Sequence, residues 1–269
     1  MTAAALEIED VAVWFGGVHA VDGVTLKIEP GEVVGLIGPN GSGKTTLLDA
    51  ISGQARLTRG TVRLDGQDLA GRLPEARAKL GIVRSFQDCR LFPELSVEEV
   101  LLVSEDARRS IGLLSTTLHM PWARRAERSK RAAVADIIGA FGLDRYRNHR
   151  VQELSTGTRR VVDLAAIVLA SPRLLLLDEP TAGIAQREAE AFVPLLRRIH
   201  EVTGATIVLV EHDVPLVFSL SSQVVVMETG RVASAGPPDM VKEDPVAVAA
   251  YLGASPEALA RSGRLSDDD

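Results

Sequence analysis

The sequence predicts an α/β protein, a largely parallel and buried sheet interrupted by a helical insertion. Three observations carry this expectation. VVGLIG (33–38), RLLLLDEP (173–180) and ATIVLVEHD (205–213) contain short, almost wholly apolar runs, the pattern of strands covered on both faces. The first of these passes directly into the glycine-rich PNGSGKTT and then a helix, LLDAIS. Between about 95 and 150, helical spacing and many arginines replace strand signals.

Taken in order, residues 6–37 read as strands: LEIEDVAVWF and VTLKIE alternate apolar and polar residues, and EPGE marks a turn. After the loop and its helix, TVRLDGQDL is a strand and turn, and GIVRSFQ is a second buried strand ending at Gln87. RRAERSKRAAVADIIGAFGLDRY is a basic, solvated surface leading into an amphipathic helix. The expected organisation is one domain, 1–253. Its α/β core covers about 1–87 and 161–253, with a helical subdomain at about 88–160. SQVVVMETGRVASAG closes the core as a hairpin with Thr229-Gly230 at its turn. The tail 254–269, which ends RSGRLSDDD, has the polar composition of a disordered segment.

Composition narrows the function. A net charge of −6 disfavours a general nucleic-acid surface, which is usually basic. Cys89 is the only cysteine, so no internal disulfide forms, as fits a reducing compartment. The start MTAAALEIEDVAVW lacks the basic and apolar regions of a signal peptide. No apolar run reaches the ~18 residues that span a bilayer. If the protein works at a membrane, another protein holds it there.

GPNGSGKT (38–45) matches G-x-x-x-x-G-K-[ST] without a mismatch. Glycines let backbone N–H groups turn inward around phosphate oxygens, and the helix N-terminus adds partial positive charge. Gly38, Asn40, Gly41, Ser42, Gly43, Lys44, Thr45 and Thr46 are the expected nucleotide contacts. Lys44 reaches the β- and γ-phosphates, and the Thr45 hydroxyl is offered to Mg²⁺. RLLLLDEP places Asp178 at the exit of an apolar strand, an expensive position for an acid unless it holds something. Asp178 is assigned to the metal, and Glu179 to polarising the attacking water. Gln87 and His212 also follow strands, at the ends where open parallel sheets bind ligands. Gln87 is assigned to Mg²⁺ or the attacking water, and His212 to the γ-phosphate. His19, His119, His149 and His200 are read as structural or solvated.

ELSTGTRRV (153–161) has two readings. Ser155 or Thr156 caps a helix, or the segment is half of an ATP site that closes over a nucleotide held by another subunit.

These residues together resemble the ATPase subunits of ABC transporters. The phosphate loop 38–45, Gln87 of the Q-loop, the signature 154–158, Walker B 173–179 and the switch His212 occur in the family's order across roughly 5–253. VWFGGVHAVDGV, LFPELSVEEVLLV, VEHDVPLV, DPVAVAAYLG and the basic insert at 104–131 are most similar to the ATPases of bacterial branched-chain amino acid importers. The resemblance implies a P-loop (RecA-like) core with an antiparallel β subdomain and an inserted helical subdomain. It makes LSTGT (154–158) the counterpart of the signature LSGGQ, in which Ser155 and Gly157 bind the γ-phosphate of the opposite subunit. Capping and phosphate binding are then one physics, since a helix N-terminus is an anion site. Thr156 and Thr158 depart from the signature, which bears on the sugar more than on phosphate. Ala185 stands where the D-loop usually carries an aspartate, and Ile184 still fits the loop shape. Phe15 is the aromatic aligned to stack on adenine, with Val21 beside it.

The resemblance further implies ATP and Mg²⁺, ATP hydrolysis, and a head-to-tail dimer with a second ATPase subunit, identical or paralogous. It also implies transmembrane permease subunits gripped near Gln87 and 88–103, an indirect link to a substrate-binding protein, and a peripheral place on the cytoplasmic face of the inner membrane. Other readings stay open. A cassette for urea, amides or lipid is one, and lipopolysaccharide-export ATPases share the YLG-type ending. A soluble ABC ATPase of repair or translation usually carries a coiled coil or two fused ATPase domains, which this chain does not show. A P-loop kinase does not need LSTGT. Intact Lys44, Asp178, Glu179 and His212 argue against a dead site, while Thr156, Thr158 and Ala185 leave a pair of unequal sites open.

Overall fold

The computed structural model describes residues 2–85, 91–109, 121–183 and 186–252. Gln87, Cys89, His119, Ile184, Ala185 and the polar tail lie outside the described residues.

Two sheets form. In the first, β1 (Leu6–Phe15) pairs antiparallel with β2 (Val18–Ile28) across Gly16-Gly17. β4 (Arg59–Leu64) pairs with the other edge of β1, and the short β5 (Gln67–Asp68) completes the order β2-β1-β4-β5. The second sheet comprises β3 (Val33–Ile37), β6 (Ile82–Arg84), β7 (Leu174–Asp178), β8 (Thr206–Val210), β9 (Gln223–Glu228) and β10 (Arg231–Gly236), ordered β10-β9-β3-β8-β7-β6. Its pairs are parallel except β9–β10. Thr229 (φ 46°) and Gly230 (φ 80°) both take the left-handed conformation at that hairpin, as a two-residue primed turn requires.

The continuous apolar strands are explained by their two covered faces. Leu174, Leu176, Val208 and Val210 enter a core shared with the first sheet and α1 (Lys44–Ser52). Their neighbours Leu175, Leu177, Ile207 and Leu209 enter a second core, built with α3 (Val97–Arg109), α4 (Pro121–Ala140), α5 (Thr156–Leu169) and α6 (Gln186–Thr203). Period-2 alternation is present, but both classes are buried. On α4, Val134 and Ile138 face inward while Arg125, Arg128 and Arg131 are exposed, the expected amphipathic split. A third cluster joins Ile37, Val224 and Val226 to α7 (Val214–Leu220), α8 (Pro238–Glu243) and α9 (Pro245–Leu252).

α2 (Pro74–Lys79) falls where the sequence showed no helical signal. Its buried Arg77 donates to the carbonyls of Ala50 (2.7 Å), Ile51 (2.8 Å) and Leu69 (3.0 Å). The guanidinium satisfies terminal carbonyls of α1 that have no partner within that helix.

The parallel register sets up the site. Leu36 lies opposite Val210, and Val210 opposite Asp178. The phosphate loop, Glu179 and His212 therefore all follow the carboxyl ends of three neighbouring strands, the ligand-binding edge of such sheets.

Candidate nucleotide-binding site

The phosphate loop leaves β3 and enters α1 through two glycines that admit no other residue. Gly38 has φ 147°, and a Cβ there would lie 2.1 Å from the Met227 carbonyl oxygen. Gly43 has φ 97°, and its Cβ would lie 2.2 Å from the Ala20 carbonyl oxygen. Gly43 is also the N-cap of α1 and supplies no side-chain cap. The N-terminal amides of α1 are thus left for a ligand. Gly41 takes φ 79°. Buried Ser42 has a hydroxyl without a hydrogen-bond partner. Lys44 Nζ donates to the carbonyls of Gly38 (2.8 Å) and Pro39 (2.9 Å), which holds the ammonium at the loop mouth. Burial pushes the Lys44 pKa down, against the opposing pull of Glu179 and Asp178. A glycine-lined cradle with an ammonium at its edge fits a triphosphate.

Asp178 closes β7 with 2% of its surface exposed. Its Oδ1 lies 3.4 Å from Thr45 Oγ1, so the two expected metal-facing groups adjoin. Among the described residues no cluster of three or more His, Cys, Asp or Glu side chains forms a metal cage. One carboxylate and one hydroxyl fit Mg²⁺, which completes its shell with waters and phosphate oxygens. Glu179 has φ 48°, a left-handed conformation that costs a non-glycine residue about 1–3 kcal/mol and clusters at functional sites. Its amide donates to the Val210 carbonyl (2.9 Å). Its Oε1 is 2.8 Å from His212 Nε2. The structure therefore brings Lys44, Thr45, Asp178, Glu179 and His212 into one site.

It does not bring α5 to them. Ser155 is the N-cap of α5, and its Oγ accepts from Thr158 N (3.2 Å) and lies 3.0 Å from Thr158 Oγ1. Ser155 and Thr156 are exposed, and Gly157 lies in the first turn. Among the described residues no hydrogen bond or ion pair joins Ser155, Gly157 or Thr158 to the phosphate loop. Phe15 is 58% exposed at the tip of the first hairpin, available to stack. Val21 is wholly buried in the core beneath that hairpin and offers no surface to a ligand. Trp14, next to Phe15 in the chain, stacks on His19, with ring centroids 4.1 Å apart. His200 bonds the Gly31 carbonyl at 2.8 Å, a structural use.

Two residues escaped the sequence reading. Glu211 is buried, and its Oε1 accepts from Thr181 N (2.8 Å) and Oγ1 (2.7 Å) while Oε2 accepts from His212 N (3.2 Å). Burial raises its pKa against those hydrogen bonds. Arg84 binds Asp178 Oδ2 at 2.9 Å. The available signals were an acid directly before His212 and a single cation in an otherwise apolar strand.

A phosphate loop, a buried aspartate and a carboxylate–histidine pair at the ends of three neighbouring parallel strands define a P-loop nucleoside triphosphatase. The comparisons narrow the class. The family model described as ABC transporter matches residues 21–182. The branched-chain amino acid transport ATP-binding protein BraF of Pseudomonas aeruginosa is 36% identical over 92% of this chain and 97% of its own length. LivG of Escherichia coli K12, of the same description, gives the same figures. The ATP-binding cassette MJ1267, solved in its ADP conformation, is 28% identical over 94% of this chain and 99% of its own, with a TM-score of 0.77. The chain belongs to the ATP-binding subunits of ABC transporters, and is an ATP-binding, ATP-hydrolysing transport subunit. Among its described residues no helix is long and apolar enough to cross a membrane.

Proposed function

We propose that this chain powers an importer of branched-chain or related amino acids, working as one half of a head-to-tail pair of cassettes beneath a separate permease. The observation that carries the paired reading is the incomplete site. Lys44, Glu179 and His212 converge, while the N-terminus of α5 stands exposed and, among the described residues, Ser155 and Thr158 bond each other rather than the phosphate loop. A second subunit, identical or paralogous, would bring its Ser155 and Gly157 amides to the γ-phosphate. ATP then bridges two surfaces, and its cleavage releases them, so the closed state is favoured by ATP's differential affinity alone. Glu179, held by His212, orients and polarises the attacking water; His212 also faces the γ-phosphate. Lys44 and the α1 amides bind the β- and γ-phosphates. Thr45, Asp178 and Gln87 would hold Mg²⁺, which supplies charge neutralisation on those phosphates. Phe15 stacks on adenine.

The amino acid cargo is supported by the full-length likeness to BraF and LivG. A second reading has its own support: an Fe(3+) ions import ATP-binding protein of Streptomyces coelicolor is 37% identical over 92% of this chain, which spans 67% of that protein. On either reading the cassette sits peripherally on the cytoplasmic face of the membrane. The groove near Gln87 and 88–103 would grip a helix of the permease, and the permease and its binding protein select cargo.

The testing experiment is light scattering of the Glu179→Gln protein with ATP and Mg²⁺. A dimer that forms with ATP and not with ADP supports the paired site. A chain that binds ATP yet stays monomeric points to a paralogous partner, to be sought by co-purification. Failure to bind ATP overturns the reading. Cargo is tested by ATPase stimulation in the reconstituted transporter, with leucine or Fe(3+) presented on its binding protein.

A further inference from the structure

We propose that Arg84 is a positioning residue of the hydrolytic site, which determines the oxygen of Asp178 that faces the metal and ties that carboxylate to the phosphate-loop helix. The inference rests on the reading of Asp178 as a metal-facing group.

Arg84 ends β6, the edge strand of the parallel sheet. Only 8% of its side chain is exposed, and only 3% of that of Asp178. Nη2 donates to Asp178 Oδ2 at 2.9 Å. Nη1 binds Asp49 Oδ1, on α1, and lies 3.4 Å from Ser52 Oγ on the same helix. One guanidinium thus joins β6, α1 and β7. The next residue acts on the same aspartate, since Ser85 Oγ accepts the Asp178 amide at 3.0 Å. The last two described residues of this stretch therefore clamp Asp178 at both its backbone and its carboxylate.

The physical consequence is selective. A carboxylate has two equivalent oxygens and turns freely unless one is held. Here Oδ2 is occupied by Arg84, and Oδ1 is left beside Thr45 Oγ1. The two expected metal-facing oxygens are thereby presented on one side. A buried arginine in a short apolar strand is unfavourable unless its charge is paired, and here two carboxylates pair it. Only a planar fork reaches both at once, because a lysine ammonium is a point charge. Partners of this kind, one shell behind a metal, are typically worth about 10–100-fold in metal affinity or activity.

The test uses the full chain, with Mn²⁺ replacing Mg²⁺ so that bound metal is read by electron paramagnetic resonance in the ATP complex. Arg84→Met is expected to weaken Mn²⁺ binding about tenfold and to lower kcat in step. ATP affinity measured without metal, and KM for ATP, should stay within about twofold, a split that a general structural role would not produce. Arg84→Lys should fall between parent and Arg84→Met. Asp178→Asn is the control for the underlying reading: if it leaves Mn²⁺ binding unchanged, the metal role of Asp178 fails, and the role of Arg84 fails with it. If Asp178→Asn weakens Mn²⁺ binding and a folded Arg84→Met does not, the positioning role alone is overturned. Should Arg84→Met not fold, Asp49→Asn decides. It loosens the guanidinium from the partly exposed end of the network, and an unchanged Mn²⁺ affinity there overturns the proposal.

Discussion

Two helix N-termini in this molecule are prepared in opposite ways, one inside the phosphate loop and one, on the paired reading proposed above, for a phosphate held by a second subunit. α1 starts at a left-handed glycine with no side-chain cap, and its Lys44 is 6% exposed beside Asp178 and Glu179. α5 starts at Ser155, capped by its own hydroxyl, and its N-terminus is exposed, with no hydrogen bond to the phosphate loop among the described residues. The dipole is common to both. One end is completed by its own chain, and on the paired reading the other waits for a nucleotide on a second subunit. A phosphate site is therefore made by the company a helix end keeps as much as by the helix end itself.

The largest expected effect breaks the completed end. Glu179→Gln removes the carboxylate bonded to His212, and ATP turnover should fall about 10³-fold with ATP binding retained, measured by phosphate release and by nucleotide titration. Next, the two glycines should part company. Gly43→Ala forces a Cβ to 2.2 Å from the Ala20 carbonyl at φ 97°, and should cost about 2–3 kcal/mol with loss of ATP binding. Gly157→Ala sits in a helical turn, where alanine is favoured over glycine by up to about 1 kcal/mol. It should leave monomeric ATP binding intact and weaken ATP-dependent association. Equal effects of the two substitutions, in urea unfolding or in binding, would erase the contrast. Ser155→Ala should remove about 1 kcal/mol of stability, the worth of a cap, and leave monomeric ATP affinity unchanged.

The smallest effect lies further along α5. Asp163 is partly buried, its Oδ2 is shielded from solvent without a hydrogen-bond partner, and burial raises its pKa from 3.8 to about 6 against the pull of Arg160. The folded state therefore binds more proton than the unfolded state between those values, so stability falls as pH rises through that window and levels off above it. Asp163→Asn should be more stable than the parent by about 1 kcal/mol at pH 8, and the advantage should fade between about pH 6 and 4. Unfolding at pH 8, 6 and 4.5 checks this; a constant difference would show that the ionised carboxylate is not the cause.

Legibility followed the range of the interactions. The phosphate loop was readable because its glycines, lysine and threonine act within a few residues of one another, between a strand and a helix. The β9–β10 turn was readable because Thr229 and Gly230 carry their own backbone preference. α2 was not: six residues have little helical signal, and Arg77 draws its partners from α1 and Leu69. Arg84 and Glu211 gave a local signal without a meaning for the same reason, since their partners are Asp178, Asp49 and Thr181, up to 94 residues away in sequence. Phe15 and Val21 were read together as a base platform, but burial separates them, and only Phe15 reaches the surface. The departure of Thr158 from the signature is legible in the sequence, but its contact with the Ser155 hydroxyl (3.0 Å) is not.

The sequence by itself determined the class of fold, the phosphate loop, the acids at the strand end and the family, because each depends on local pattern and on residue chemistry that contiguous positions display. Tertiary structure alone decided that Lys44, Thr45, Asp178, Glu179 and His212 share one site, that Arg84 and Glu211 support it, and that the α5 N-terminus stays apart. These are outcomes of strand order and register, which bring distant residues within hydrogen-bond reach, and no local pattern encodes which distant partner a buried charge will find.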